Sequence, residues 1–137
     1  MGDLDKLGKE LMRRAAGSLF VDDGPSLTFE FGPEAGSARI DGTVGGLVAV
    51  EVESRVPKQI RGALVDLVLH PYPKKLLIVL PIHTGNPDTA TKQARVILGR
   101  FLEPNTFRVV CVSEDLEGSI RAIQGALSDL GVEVRAG

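Results

Sequence analysis

Apolar residues recur along this 137-residue chain with two periods, and the switching between them lays out the elements. Leu4, Leu7, Leu11 and Ala15 fall at helical spacing and Gly17 supplies a stop, so residues 3–16 are predicted as an amphipathic helix. After the break "DDGPS", the stretch "LTFEF" alternates, with Leu27, Phe29 and Phe31 on one side of a strand, and "GPEAGS" turns the chain. Residues 38–44 and 47–53 follow as two more strands, joined through Gly45 and Gly46. Pro57 suits the first position of a helix, where its missing N–H would have had no intrahelical partner. Ile60, Leu64, Leu67 and Val68 form that helix's stripe, with Val65 and Leu69 widening it until "HPYP" ends it, so the helix is expected to be mostly buried.

"KKLLIVLP" is a continuous apolar run of the kind found in strands covered on both faces. Asn86 is placed to cap the next helix, with Pro87 and Asp88 in its first turn and Ala94, Ile97, Leu98 and Phe101 along its inner stripe. "TFRVVCV" is the last predicted strand. Ser113 is the expected cap of a final helix whose inner face carries Leu116, Ile120, Ile123, Leu127 and Leu130 before Gly131. The order is helix, three strands, helix, strand, helix, strand, helix. An antiparallel meander followed by strand–helix–strand crossovers makes a three-layer α/β arrangement, a mixed central sheet flanked by helices.

The hairpin at residues 38–53 carries the most information. Opposed residues of an antiparallel pair share a face, and faces alternate along each strand. If Ile40, Gly42 and Val44 lie opposite Val52, Val50 and Val48, the apolar side is consistent and the connection is Gly45–Gly46–Leu47. That register sets Asp41 opposite Glu51 and Arg39 opposite Glu53. The alternative two-residue loop would set Asp41 against Val50 and bury unpaired charge at a cost of several kcal/mol. Hydrophobic pattern therefore gathers Asp41, Glu51 and Glu53 on one face. Three carboxylates brought together repel one another unless something positive joins them. A hard divalent cation such as Mg²⁺ or Mn²⁺ is one partner, since it takes one or two carboxylates and leaves other positions to water and phosphate. Simple ion pairing, Arg39 with Glu53 and Lys58 with Glu51, is the other.

Composition narrows the setting. The chain has 43% hydrophobic and 25% charged residues, enough for one domain spanning 1–137 with a real core. Cys111 is the single cysteine, so no disulfide forms within the chain. The charged opening "MGDLDKLGKELMRR" lacks the apolar stretch of a secretion signal, and a cytoplasmic location is expected. Net charge is −2, which argues against a general nucleic-acid coat, yet residues 55–75 hold 5 Lys/Arg and 1 Asp/Glu, directly after the acidic hairpin.

With "IDG" at Asp41, "EVE" at Glu51–Glu53 ten residues later, and the order helix, three strands, helix, strand, residues 3–81 resemble the PD-(D/E)XK nuclease superfamily, the restriction-endonuclease-like fold. The resemblance implies Mg²⁺ (or Mn²⁺) held by Asp41 and Glu51, with Glu53 as a further metal-site acid, and hydrolysis of phosphodiester bonds in nucleic acid, DNA foremost. Glu53 stands where that family usually carries lysine, which removes the ordinary activating cation. Lys58 is the implied substitute on the following helix, Gln59 resembles a polar residue that relatives place near the metal, and Arg55, Gln59 and Arg61 are the expected nucleic-acid contacts. Glu10 is a further acid that other branches of the superfamily draw from the first helix.

The remaining signals carry less. "DGTVGG" leads into a strand and lacks a Lys-Ser/Thr, so it is a hairpin and not a phosphate loop. His70 beside Lys74 and Lys75, and His83 after a buried strand, are expected to serve as cap, solvent or loop residues. Trp is absent and Tyr72 is the single tyrosine, so nucleic acid would be held through its backbone charge and not by base stacking. Two functions stand side by side: a small metal-dependent nuclease, and a catalytically inactive binding or assembly module on the same fold. A homodimer or a larger protein partner suits either, because so small a domain covers little of a duplex.

Overall fold

Val48, Val50 and Val52 alternate with Ala49, Glu51 and Glu53 along one strand, and this alternation divides the molecule into its two sides. The computed structural model describes residues 3–22, 28–31, 34–53, 57–80 and 87–134. Helix α1 (Asp3–Ala16) is followed by strands β1 (Phe20–Val21), β2 (Thr28–Glu30), β3 (Ser37–Arg39), β4 (Gly42–Val44) and β5 (Val48–Glu53). Helix α2 (Pro57–Leu69), β6 (Lys74–Val79), α3 (Pro87–Phe101), β7 (Phe107–Cys111) and α4 (Leu116–Asp129) complete the order.

The central sheet runs β1-β4-β5-β6-β7, antiparallel across β1, β4 and β5 and parallel across β5, β6 and β7. Leu11, Met12 and Ala15 of α1 and Ile120, Ile123 and Leu127 of α4 pack on the side carrying Val48, Val50, Val52, Leu76, Ile78 and Val110. The other side holds Ala49, Leu77, Val79 and Val109 under Ile60, Leu64 and Leu67 of α2 and Ala90, Ala94 and Leu98 of α3. This is a three-layer α/β fold with a mixed five-stranded sheet. Among the described residues no helix is long and apolar enough to cross a membrane.

The hairpin register is the one the valines predict: Gly42 pairs with Val50, Thr43 with Ala49 and Val44 with Val48. Gly45 and Gly46 adopt φ of 60° and 65°, and Leu47 N–H donates to Val44 O at 3.0 Å, so both central turn positions need the left-handed region that glycine enters without strain.

Other expectations are corrected. Residues 38–44 do not form one strand: Ile40 seats in the α2/α3 core with Phe29, whereas Val44 seats on the α1/α4 side, and unbroken alternation cannot send both there. The chain bends at Ile40–Asp41, the ladder from β4 to β5 closes at Gly42–Val50, and Arg39 pairs with Thr28. Strands β2 and β3 thus form a separate two-stranded sheet, and the strand that borders β4 is Phe20–Val21, whose two residues are too few to show a period. Asp115 caps α4 in place of Ser113, its side chain accepting from Gly118 N–H at 2.9 Å. Val65, Leu69, Phe101 and Leu116 are exposed, because each lies outside the arc that its helix turns to the sheet or beyond the sheet's end. Asn86 lies outside the described residues.

Gly8 brings α1 close to β5: a Cβ there would fall 2.2 Å from Val52 Cγ1. Gly125 on α4 has open space. Gly8→Ala is expected to lower stability by about 1–3 kcal/mol through overpacking, and Gly125→Ala to raise it by about 0.4–1 kcal/mol by restricting the unfolded chain. Urea unfolding midpoints of the two variants, moving in opposite directions from the wild type, check this pair.

Candidate functional site

Parity turns the odd positions of β5 toward α2, so Glu51 and Glu53 enter the side of the sheet that packs under α2 and α3. They are 5% and 4% exposed. Asp41 meets them from the bend before β4. Its N–H donates to Glu51 Oε1 at 2.9 Å, and its own Oδ2 accepts from Val52 N–H at 2.7 Å. At Val52 this exchange continues the hairpin where backbone pairing stops: the Asp41 side-chain oxygen takes the ladder position that a carbonyl group would have filled.

Burial pushes the Glu51 carboxyl from an ordinary 4.5 up to about 9, and the neighbouring Asp41 carboxylate adds to the rise. The Asp41 N–H opposes it, while Asp66 and Glu53 add smaller increments in the same upward direction. Asp66, on α2, is raised by burial and by Glu53. It is the residue that sequence reasoning missed. Its signal was a lone acid inside "LVDLVL", which marks the edge of the helix's apolar arc and gives no sign of what lies across from it.

The other expected residues divide. Arg61 is exposed on α2. Arg55 and the side chains of Lys58 and Gln59 lie outside the described residues, as does His83. Glu10 is not drawn into the cluster, because α1 packs on the opposite side of the sheet, where Glu10 pairs with Arg13 at 3.8 Å. His70 is not a solvent contact: it is 3% exposed, with its ring against Phe29 and Tyr72. Lys75, also 3% exposed, donates to the His70 carbonyl at the end of α2 and so satisfies a helix-terminal acceptor. Burial brings Lys75 down to about 8, and burial together with Lys75 brings His70 down to about 4.

Among the described residues no three His, Cys, Asp or Glu side chains are grouped so that they could together hold a metal ion. The donor set at Asp41 and Glu51 fits a different kind of site. Two hard carboxylates adjoin with further acids nearby, and Mg²⁺ is commonly held by one or two carboxylates with water and phosphate completing its shell. The raised proton affinity of Glu51 comes first from burial and then from the neighbouring Asp41 carboxylate. Set against known protein families, curated proteins and solved structures, the chain matches none of them.

A carboxyl whose folded pKa lies above its unfolded value keeps its proton in the folded state after the unfolded chain has lost it. Glu51 therefore supports folding fully below pH 4.5 and progressively less as pH rises toward 9. Buried His70 weakens the fold below pH 6.5, and Lys75 acts with the opposite slope to Glu51 above pH 8. Between these limits the wild type with divalent cations chelated is expected to lose on the order of 1 kcal/mol per pH unit. Glu51→Gln, which keeps an oxygen for the Asp41 N–H, should flatten that slope in urea titrations and be the more stable protein at pH 8.

Proposed function

We propose that this protein is a metal-dependent phosphodiesterase of the restriction-endonuclease-like kind, acting on nucleic acid, DNA foremost, through Asp41 and Glu51. The observation that carries the reading is the reciprocal contact of these two residues at the open end of the β4–β5 hairpin, Asp41 N–H on Glu51 Oε1 and Val52 N–H on Asp41 Oδ2. Support also comes from the order of elements: a leading helix, antiparallel β4 and β5 with Asp41 just before the first and Glu51 on the second, α2, then β6 parallel to β5. The topology of that superfamily's core is part of the same proposal.

Asp41 and Glu51 are the residues that would hold Mg²⁺ or Mn²⁺. When bound, the cation supplies neutralisation of phosphate charge and a lowered pKa for water. The chain's own contributions are separable from that. Glu51 gives up its proton as the site fills, so cation uptake is linked to pH. The Val52 N–H fixes one Asp41 oxygen, which orients the carboxylate before any ligand arrives. Glu53 and Asp66 keep the local field negative and favour cation entry over anion entry. Lys58, at the start of α2, is the proposed source of positive charge toward phosphate in place of the lysine missing at position 53.

A catalytically inactive binding or assembly module is the second reading, and one observation favours it. Glu51 is buried and proton-retaining, as a structural acid would be. The two readings separate in a plasmid-nicking assay with Mg²⁺ or Mn²⁺. The nuclease reading expects cleavage that falls by at least about 100-fold in Glu51→Gln and in Asp41→Asn, together with a cation-dependent rise in melting temperature that both substitutions abolish. Equal nicking by wild type and variants would remove the site from consideration, and absence of any cation-dependent stabilisation would favour the module.

A further inference from the structure

We propose that Phe29 and His70 are positioning residues, whose edge-on ring contact docks the β2–β3 hairpin and thereby holds Asp41 against Glu51. The consequence for cation binding rests on the reading of Asp41 and Glu51 given above, but the docking itself does not.

Strands β2 and β3 pair with each other through Thr28–Arg39, Phe29–Ala38 and Glu30–Ser37 and, among the described residues, share no backbone ladder with the five-stranded sheet. A two-stranded hairpin this short is marginal by itself and depends on what its side chains reach. Phe29 and, just after β3, Ile40 reach the α2/α3 core. The Phe29 ring meets the His70 ring with centroids 4.9 Å apart and planes at 72°, an edge-to-face geometry that fixes direction as well as distance. Asp41 is the next residue after Ile40, so a shift of the hairpin is transmitted to the acidic pair through one peptide unit.

His70 is built to be a rigid partner. Its N–H donates to Asp66 O at 2.9 Å, its carbonyl accepts from Lys75 Nζ, and its Nδ1 accepts from Tyr72 N–H at 3.1 Å. Tyr72 packs on the ring's other contact at 4.7 Å and 85°. Because Nδ1 is an acceptor, the proton of the neutral ring sits on Nε2, and that buried atom has no hydrogen-bond partner among the described residues. Packing alone would be served better by phenylalanine or leucine, which leave no orphaned donor. What imidazole adds is the Nδ1 bond, which pins the rotation of the ring that Phe29 meets.

Amide hydrogen exchange read residue by residue in the cation-free protein tests the docking, with Mn²⁺ affinity as a second readout. Phe29→Ala and His70→Ala are expected to speed exchange at the Asp41 and Val52 amides by about tenfold or more, while Leu77 and Ile78 in β6 stay within about twofold of wild type. Phe29→Tyr, which keeps the edge contact, should restore protection. Mn²⁺ affinity should fall in step with lost protection. Unchanged exchange at Asp41 and Val52, or acceleration spread evenly over the chain, would overturn the docking whatever the cation does. Selective acceleration in a protein whose wild type takes no Mn²⁺ would sustain the docking and sink the cation reading instead.

Discussion

A carboxyl group placed on the apolar side of a sheet must find hydrogen-bond donors or keep its proton, and at Glu51 both happen. The Asp41 N–H satisfies one oxygen, and desolvation with the adjoining carboxylate holds the proton on. Much else in the architecture follows from accommodating this group. The β4–β5 ladder ends one residue early, Asp41 turns its side chain to the Val52 N–H, and the chain before it leaves the sheet to form the β2–β3 hairpin on the α2 side. One polar requirement thus connects a break in backbone pairing to the direction of a whole hairpin.

The two sides of the sheet are unlike in consequence. The side under α1 and α4 is filled by branched apolar residues of four adjacent strands, with Gly8 allowing close approach of the helix. The side under α2 and α3 carries the charge: Glu51, Glu53, Asp66, His70 and Lys75 are buried or half-buried there. They are segregated along the strands. Lys75 lies opposite Ala49 at the start of the parallel strands, whereas Glu51 and Glu53 lie opposite Leu77 and Val79 toward their ends. The ammonium is committed to the His70 carbonyl, so it stabilises the end of α2 and does not neutralise the acids directly. The two charged groups are thus set at opposite ends of the parallel strands.

Much of the candidate site was legible in sequence because side-chain parity in a hairpin depends only on register, and the valines permit one register. Asp41 and Glu51 meet as the alternation of Val44, Val48, Val50 and Val52 requires. Asp66 was not legible, since a single acid at the margin of a helical stripe has the same pattern whether it faces water or another carboxylate. The burial of His70 was hidden for a similar reason: "HPYP" describes a chain leaving a helix, and only the hairpin laid over it turns the imidazole into core.

By itself, then, the sequence determined the three-layer α/β class, the placement of the four helices though not the cap of α4, the parallel crossovers and the pairing of Asp41 with Glu51, because periodicity and turn chemistry act over a few residues at a time. Tertiary structure alone decided that β2 and β3 separate from the main sheet, that Phe20–Val21 borders β4, that Ile40 crosses to the α2 side, and that Glu10 stays apart while Asp66 joins the acids. The physical reason is the same in each case. These outcomes depend on which distant surfaces compete to cover an apolar group or to share a charge, and a local pattern holds no information about its competitors.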